Sequence, residues 1–571
     1  MVALSPSTVS VDQDQGYLAT STMSGTRLNS NLEDLAAAIT VLNKQQMLDR
    51  AAVDINDLFL NEVNTEGTFQ FNASEADRNG NVADAGLNPE GANRIRGLGA
   101  ANLAMSSFAR SIPVDTYNLD AVEISRGPNS NIFGLGNASG TLNMVPSQAN
   151  ATRAVTNLTL RADDSGGARA SFDVNRPILR DKLALRFLGV NDEKGFERQT
   201  AVDPTKRLTL AVTARPFRST KVQASYERYS NFNRRANTVT PRDFITPWLA
   251  AGSPTWDPTT WTAHVGGRSI VITTTNETLL PLGLTGNAAG MYARPSIYVD
   301  NGRAELMMVN RSAIVPPSPT ATPASPFNNN SNARIVPIGS TMPPLYIPLG
   351  VTDRRQFDWT DVNTLQPNSA ASDATIYSVL LEHFPLNTKV HLLGLQAGFY
   401  REDMHGTNRN FIGTGQGVPT NLLVDVNEKL LDGSPNPYFL RPYFGGTDIR
   451  VSVSSTRNDN YRTTLAYQAD LTQQSGWVRW LGRHRFTGYG EYRKSEGGAP
   501  AYREYVFWTP PGSTTPTYGP VPGWRYYVGG AGKYVEHAPR SPETFLGSQN
   551  LAWYNYGTAR WQTDSVDVRD I

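Results

Sequence analysis

Alternation of apolar and polar residues over about ten positions at a time is the feature that most constrains the fold of this chain. In 154–162, Leu158 and Leu160 fall on one side, whereas Thr159 and Arg161 fall on the other. Such a segment predicts a strand with one apolar and one polar face. The same pattern recurs at 168–176, 182–191, 207–216, 219–229, 374–383, 388–400, 460–471 and 483–493. The chain after residue 150 is therefore predicted to be largely antiparallel β-structure.

Two architectures fit these segments. Many of them have the ~9–11 residues that a tilted strand needs to cross a bilayer. Some connections are short, such as 180–182, and others are very long, which is the asymmetry of an outer-membrane barrel. A soluble β-sandwich or propeller with one solvated face alternates in the same way. Alternation alone therefore leaves both architectures open.

Composition narrows the possible functions. The chain holds 52 Lys and Arg residues against 51 Asp and Glu residues. This balance argues against nucleic acid as a partner, because such binding needs a basic surface. The chain has no cysteine, so disulfides and thiolate metal sites are excluded. The six histidines lack the paired spacing of metal ligands. We predict no metal site, no cofactor and no catalytic residues.

The first 150 residues differ in pattern. A polar tail, 1–28, precedes a region, 29–150, that is predicted to be a small α+β domain. Leu32, Leu35 and Ile39 have helical spacing, and Asn31 is a candidate N-cap. Further elements are predicted as a strand at 39–42, a short helix at 53–59, a strand entering a tight turn at 94–99, and two strands joined by a glycine-rich bend at 122–145.

The stretch 122–145 resembles the plug-domain signature of TonB-dependent outer-membrane receptors. The residues that carry the resemblance are Glu123, Arg126, Gly127, Pro128, Phe133, Gly134, Gly136, Gly140 and Asn143, together with Arg96, Gly97 and Gly99 of an earlier turn. Residues 16–42 are similar to the start of the plug in large, loop-rich receptors. The chain departs from the pattern at Phe133, where the family often has Tyr, and at Ser139, where it usually has Gly. Over 151–571 the resemblance is only architectural.

The resemblance implies an α+β plug, 29–150, inside a transmembrane antiparallel β-barrel, 151–571, which is 22-stranded in the family. About 231–372 would be a long extracellular loop. The implied task is energised import of a scarce nutrient across the bacterial outer membrane, most commonly a ferric siderophore, and next an oligosaccharide or other large solute. The implied partners are the nutrient ligand, outer-membrane lipid and the TonB energy-transducing protein of the inner membrane. The candidate coupling residues in the tail are Leu4, Ser5, Pro6, Val9 and Val11.

Two further expectations follow from the resemblance. Arg96 and Arg126 lie on plug turns, and we expect glutamates of the barrel to pair with them, since an unpaired buried charge is costly. The residues of 151–571 that lie outside 231–372 suffice for about 14–16 strands of ~10 residues each with their turns and loops, and 565–571 lacks the terminal aromatic residue of outer-membrane barrels. We therefore expect this chain to lack its leader and its last strands.

A secreted or surface β-rich binding protein or hydrolase with a helical cap is the alternative. Gel migration with and without boiling separates the two hypotheses, because a folded barrel resists detergent until it is heated. We expect the detergent-extracted protein to change its migration on boiling. Identical migration of both samples would favour the soluble alternative.

Overall fold

The computed structural model describes residues 16–22, 24, 30–32, 38–68, 74–76, 82–84, 91–127, 138–198, 200–236, 240–250, 252–257, 260, 262–271, 284–285, 296–309, 334–335, 350–388, 390–412, 420–430, 433–445, 450–509, 514, 517–520, 524–541, 546–555 and 560–570. Among these residues, the helices are too short or too polar to cross a lipid bilayer.

The N-terminal part, which we call the plug, is built on a five-stranded sheet. Its elements are β1 (Ser21–Thr22), β2 (Ser30–Asn31), β3 (Ile39–Asn43), α1 (Lys44–Asp49), α2 (Ile55–Phe59), β4 (Thr65–Glu66), β5 (Ser74–Ala76), β6 (Val82–Asp84), β7 (Arg94–Ile95), β8 (Asn102–Met105), β9 (Phe108–Ala109), a 3-10 turn (Thr116–Asn118), β10 (Leu119–Arg126) and β11 (Gly140–Pro146). The sheet order is β3-β10-β11-β8-β9, and only the β11–β8 pair is parallel.

Alternation along β10 divides the plug into two apolar layers. Val122 and Ile124 are fully buried in the main core, which also contains Leu58 and Phe59 of α2. Helix α2 begins at a capping box, in which Asp54 accepts hydrogen bonds from the first-turn amides. The opposite face of the sheet carries a second, smaller cluster of Ala19, Val41 and Ala121. Ala19, which lies in the tail, therefore helps to cover the face of the sheet that the main core leaves open.

The sequence predicted some of these elements and missed others. The strand at 39–42 and the short helix at 53–59 are confirmed by β3 and α2. The backbone of Asn31 pairs with Ser21 between β1 and β2, and a 3-10 turn begins at Leu32, so the N-cap role of Asn31 stays a prediction. Ile39 begins a strand rather than ending a helix, and 33–37 lie outside the described residues. Helix α1 was not predicted; its N-cap is Asn43, whose side chain accepts from the Gln46 amide.

Among the described residues after residue 150, most of the regular structure is strands. They are β12 (Val155–Ala162), β13 (Ala168–Leu179), β14 (Leu183–Glu193), β15 (Pro204–Phe217), β16 (Thr220–Asn233), β17 (Arg242–Asp243), β18 (Thr255–Asp257), β19 (Thr262–Val265), β20 (Arg268–Val271), β21 (Leu284–Thr285), β22 (Ser296–Asp300), β23 (Arg303–Val309), β24 (Arg334–Ile335), β25 (Ser369–Asn387), β26 (His391–Asn410), β27 (Asn421–Val424), β28 (Pro442–Gly445), β29 (Arg450–Asp470), β30 (Arg483–Gly498), β31 (Ala501–Trp508), β32 (Thr517–Pro520), β33 (Trp524–Tyr527), β34 (Gly547–Asn555) and β35 (Arg560–Asp570), with one α-helix, α3 (Ile245–Ala250), and 3-10 turns at Leu471–Gln473 and Gly476–Leu481.

Nine long strands form one continuous antiparallel ladder, which we call the wall. Its order is β12-β13-β14-β15-β16-β25-β26-β29-β30. Each of the nine alternating segments in the sequence lies in one of these strands, so that prediction is confirmed. The observed strands extend beyond most predicted segments, because the ladder continues past the apolar stretch.

The two faces of the wall differ as the alternation predicted. Leu158 and Leu160 on β12 are 71% and 72% exposed and point away from the plug. Arg161 lies on the opposite face of β12 from these leucines and donates to the carbonyl oxygen of Ala51 in the plug at 2.8 Å. One face of the wall is therefore apolar and outward, and the other is polar and directed at the plug.

The strands of the wall end along two opposite borders of the sheet, which we call its edges, and the two edges differ. The connections 180–182, 218–219 and 388–390 lie at one edge, where the plug also enters β12. The long connections 234–368 and 411–449 lie at the other edge. Strands β17, β22, β27 and β28 of these connections, together with the later β33, extend the sheet there, and their core contains the fully buried Trp524 and Phe444.

Gly140 provides a test of how tightly the plug sheet is closed. It has φ +149°, and a Cβ there would lie 2.2 Å from the carbonyl oxygen of Ser125 on β10. We expect Gly140→Ala to destabilise the plug by at least about 1–3 kcal/mol, since the strand must move to relieve the overlap. Urea unfolding in detergent, with limited proteolysis of the plug as the readout, measures the change in the free energy of unfolding. Gly97→Ala is the matched control, because Gly97 has φ +67° but open space around it. Equal losses for both variants would contradict the steric explanation.

Candidate functional site: the plug–wall interface

The plug reaches the wall through a hairpin with an unusual turn. Strands β8 and β9 are joined by the two-residue turn Ser106–Ser107, in which both residues have positive φ, 50° and 63°. Turns of this kind favour Asn and Gly, because other side chains are strained there. The turn is held by hydrogen bonds from the Ser106 amide to the Met144 carbonyl oxygen, 2.9 Å, and from the Ser107 amide to Asn143 Oδ1, 2.8 Å. We call residues 102–111 the docking hairpin.

An aromatic side chain after the turn inserts into the wall. Phe108 is 1% exposed and stacks on Tyr400 of β26, with ring centroids 5.5 Å apart. A Cβ at Gly398 would lie 2.9 Å from the Phe108 ring, so this wall position admits Phe108 only because it has no side chain. Arg462 of β29 lies over the ring at 4.1 Å and donates to the Ser106 carbonyl oxygen at 3.0 Å.

A buried ion pair follows on the same hairpin. Arg110 donates to both carboxylate oxygens of Glu227 on β16, each at 2.9 Å. The side chains are 1% and 4% exposed. The next amide, of Ser111, donates to Glu402 of β26 at 3.0 Å, and Tyr400 donates to the same carboxylate at 3.1 Å. Bidentate geometry between two charged groups gives shorter and stronger hydrogen bonds than neutral groups form.

Charges of alternating sign continue from this pair along the interface. Arg207 of β15 lies 3.7 Å from Glu227 and 3.7 Å from Asp115 of the plug. Asp115 accepts from Arg169 of β13 at 2.6 Å, and Arg169 also donates to Asp192 of β14 at 2.9 Å. Each buried charge in this series faces an opposite one, which is the condition for burying charges at tolerable cost.

A second line of contacts lies nearer the edge with the short connections. Lys44 of α1 donates to Asp173 of β13 at 3.2 Å. Arg186 of β14 donates to both oxygens of Asp173 and to the carbonyl oxygen of Gln148. Lys221 of β16 donates to Gln148 Oε1 at 3.0 Å. With Ala374 and Ile376 of β25 packed near Phe108, the plug contacts β12–β16, β25, β26 and β29. The wall therefore curves around the plug.

The interface is not filled everywhere. A cavity of 880 Å³ lies between α1 and the strands β12 and β13. Its lining mixes apolar residues such as Met47 with the charged Lys44, Arg161 and Arg169. Among the described residues, no group of three His, Asp or Glu side chains is placed to hold a metal ion.

Arg126 does not have the expected role. Its side chain donates to the carbonyl oxygen of Val63 at 2.8 Å and to Thr40, and it lies 3.7 Å from Glu62. All three partners belong to the plug, so the prediction that a wall glutamate pairs with Arg126 is wrong. Burial lowers the pKa of the Arg126 guanidinium, and Glu62 offsets this only in part. Burial also opposes the charge of Arg110, but the Glu227 carboxylate raises its pKa above the ordinary value.

The other predicted motif residues shape the plug itself. Arg96 and Gly97 form a turn with φ of 57° and 67° that leads to Gly99, and the Arg96 guanidinium lies beside Gly127. Glu123 and Asn143 are fully buried opposite each other on β10 and β11. Pro128, Phe133, Gly134 and Gly136, and the tail candidates Leu4, Ser5, Pro6, Val9 and Val11, lie outside the described residues.

Sequence reasoning missed the residues that join the plug to the wall. Phe108, Arg110, Glu227, Glu402 and Arg462 lie in no motif that the sequence offers. The one available signal was a run of polar residues on the plug-facing side of the wall segments. It indicates which face is polar and does not identify the pairs.

Comparisons with known proteins are consistent with this architecture. No family model matches the chain. It is 30% identical over 186 residues to the metal-pseudopaline receptor CntO of Pseudomonas aeruginosa, covering 32% of this chain and 24% of that protein. It is 27% identical over 168 residues to the ferric-pyoverdine BN7/BN8 receptor of Pseudomonas putida, covering 28% and 19%, and 26% identical over 186 residues to the ferrioxamine receptor of Yersinia enterocolitica, covering 32% and 26%.

The chain is similar to these bacterial receptors over about a third of its length. It matches about a quarter of the length of the curated relatives. Among solved structures, the ferric preacinetobactin receptor BauA of Acinetobacter baumannii aligns with 89% of this chain and 53% of its own, at 11% identity and a TM-score of 0.46. The described residues of this chain form an α+β plug and a curved antiparallel wall, which are the two parts that the motif implied.

Removing one member of the buried pair tests the interface between the plug and the wall. We expect Arg110→Ala to destabilise the docked plug by about 3–5 kcal/mol, because buried Glu227 loses both hydrogen bonds of its bidentate partner and keeps only Arg207, 3.7 Å away, as a counter-charge. Denaturant unfolding in detergent measures this loss, and Arg153→Ala, at an exposed arginine, is the control. The double variant Arg110→Met with Glu227→Gln is expected to lose less than Arg110→Ala alone. A larger loss in the double variant would contradict the charge explanation.

Proposed function

We propose that this chain forms a receptor that captures a ferric siderophore or related metal chelate at the cell surface and imports it into the periplasm. The observation that carries the proposal is the docked plug. A folded domain is held against the polar face of a curved wall by buried charge pairs, while the other face of the wall is apolar. A lipid-facing wall around a removable stopper suits an importer of solutes too large for a simple pore.

The chemistry of the interface supports a plug that is firmly held and still removable. Buried ion pairs contribute little net stability relative to apolar packing, because desolvation offsets the attraction. Once water reaches them, Arg110, Glu227, Arg207 and Asp115 are all well hydrated. An apolar interface of the same area would instead expose its surface to water at about 25 cal/mol per Å². A polar interface therefore lowers the cost of moving the plug inside a wet lumen.

The ligand class is inferred from the relatives. Their names describe receptors for metal-pseudopaline, ferric pyoverdine and ferrioxamine, which are all metal chelates. This favours a ferric siderophore over an oligosaccharide as the nutrient. The similarity extends over about a third of this chain.

The remaining assignments belong to the same proposal. The domains are a tail, 1–28, a plug, 29–150, and a barrel, 151–571, with the long extracellular loop at about 231–372. The partners are outer-membrane lipid on the apolar face, the nutrient ligand at the edge with the long connections, and the TonB protein on the tail. The motif residues would maintain the plug, and Leu4, Ser5, Pro6, Val9 and Val11 would recruit TonB. The protein has no enzymatic activity in this proposal.

Deleting residues 1–15 separates binding from import. We expect the deletion to abolish uptake of radiolabelled ferrioxamine and ferric pyoverdine by cells that depend on this receptor, because the inner-membrane partner has nothing to pull. Binding of the same chelates to chilled cells should be unchanged, because the plug and wall remain intact. The exposed-residue variant Arg153→Ala is the control and should import normally.

Each contrary outcome identifies a different error. Unchanged uptake after the deletion would mean that the tail is not the coupling segment. Failure of the intact protein to bind any ferric chelate would overturn the ligand class, and binding of chelates without energised uptake would favour the surface binding protein.

A further inference from the structure

The described part of the tail is bound to the plug along its length. The Asn43 side chain donates to the Gly16 carbonyl oxygen at 2.8 Å, and Tyr17 donates to Asp49 at 2.8 Å. Ala19 is buried against Val41. These contacts lie at the surface or at the smaller apolar cluster of the plug. They would hold the tail but do not reach the wall.

The end of this segment reaches a buried carboxylate. Glu123 is 0% exposed, and it accepts a hydrogen bond from the Thr22 hydroxyl at 2.8 Å and another from the Ser24 hydroxyl at 2.5 Å. A third comes from Asn143 Nδ2 at 2.8 Å. All four side chains are buried. Two of the donors to this carboxylate therefore belong to the tail, and one belongs to the plug sheet.

The carboxylate fixes the orientation of Asn143. The Ser107 amide can only donate, so the Asn143 atom that faces it must be the acceptor, Oδ1. The amide nitrogen of Asn143 then necessarily faces Glu123, whose carboxyl oxygen accepts from it. The hydrogen bonds from the tail hydroxyls to Glu123, from Asn143 to Glu123 and from the Ser107 amide to Asn143 therefore form one series with a fixed direction.

Ser107 lies in the strained turn of the docking hairpin. Next to it, the Ser106 carbonyl oxygen accepts from Arg462 of the wall. Phe108, Arg110 and Ser111 of the same hairpin contact Tyr400, Glu227 and Glu402. An unbroken set of contacts therefore joins the tail to the wall through one carboxylate and one carboxamide.

We propose that Glu123 and Asn143 are positioning residues of a mechanical relay, in which withdrawal of Thr22 and Ser24 from Glu123 frees the Ser106–Ser107 turn and undocks the docking hairpin from the wall. The relay rests on the proposed function, because it explains how a pull on the tail reaches the plug–wall interface.

The physical steps follow from the bonds. Loss of the two hydroxyl donors leaves Glu123 buried with fewer hydrogen bonds, which is unfavourable for a charged group. The carboxylate then moves towards other donors, and Asn143 is no longer held in one orientation. The Ser107 amide loses its acceptor, and the left-handed turn loses a bond that offsets its strain.

Hydrogen exchange of single amides in the purified full chain tests the relay without ligand or partner. In the variant Thr22→Val with Ser24→Ala, we expect the Ser107 and Ser111 amides to exchange at least about tenfold faster, the ratio expected for loss of one hydrogen bond to a charged group. The Thr116 amide, which donates to Val53 within the plug, is the reference and should not change. Thr22→Ser keeps the hydroxyl and should leave all three rates as they are.

A second variant acts at the carboxylate. Glu123→Met has a similar length but no strong acceptor, so the Asn143 amide nitrogen loses its partner and Asn143 is no longer held in one orientation. We expect faster exchange at Ser107 and Ser111 here as well, again with an unchanged Thr116 amide. Unchanged Ser107 and Ser111 rates in both variants would overturn the relay. Equal acceleration of all three amides would also overturn it, since that indicates general loosening of the plug.

Uptake by cells distinguishes the relay from the proposed function. If the relay variants show selective exchange and the intact protein imports no chelate, the proposed function fails and the relay as a physical contact stands. If the intact protein imports a chelate and the exchange is unselective, the receptor stands and the relay fails. Import that is slowed by Thr22→Val with Ser24→Ala, with unchanged chelate binding, supports both.

Discussion

The cost of burying a charge without a partner governs how this molecule is assembled. The wall directs arginines and carboxylates at the plug, and the plug directs Arg110 and Asp115 back at them. Neither surface is a favourable dry interior by itself, since each would bury unpaired charge. They become compatible only when opposed in register. Complementary charge therefore selects one orientation of the plug, whereas an apolar interface would tolerate sliding.

This arrangement separates two properties that a transport protein needs. Apolar packing within the plug, around Ile124 and Phe59, gives the domain its own stability. Polar contacts between plug and wall fix its position. Because the two sets of contacts share few residues, the plug can change position without losing its core. Phe108 is the exception, an aromatic anchor that fits only above Gly398.

Much of the fold could be predicted from sequence, and the interface could not. Alternation is a property of neighbouring residues, so all nine wall strands were predictable, and so were the turns around Gly127 and Gly140. The pairing of Arg110 with Glu227 joins positions 117 residues apart and depends on strand register and plug orientation. A pattern of neighbouring residues gives neither the strand register nor the orientation of the plug. The same limit explains Arg126, whose motif indicated a buried arginine but not that Glu62 would be its neighbour.

The serine turn at 106–107 has a consequence for the time course of plug movement. A hairpin with Asn-Gly at these positions would keep its shape in isolation, whereas two serines at positive φ have that shape only while neighbouring groups impose it. Once detached, the hairpin relaxes and no longer matches the site it left. Re-seating then requires the strained turn to be rebuilt, and the cost of that strain adds to the barrier for closing.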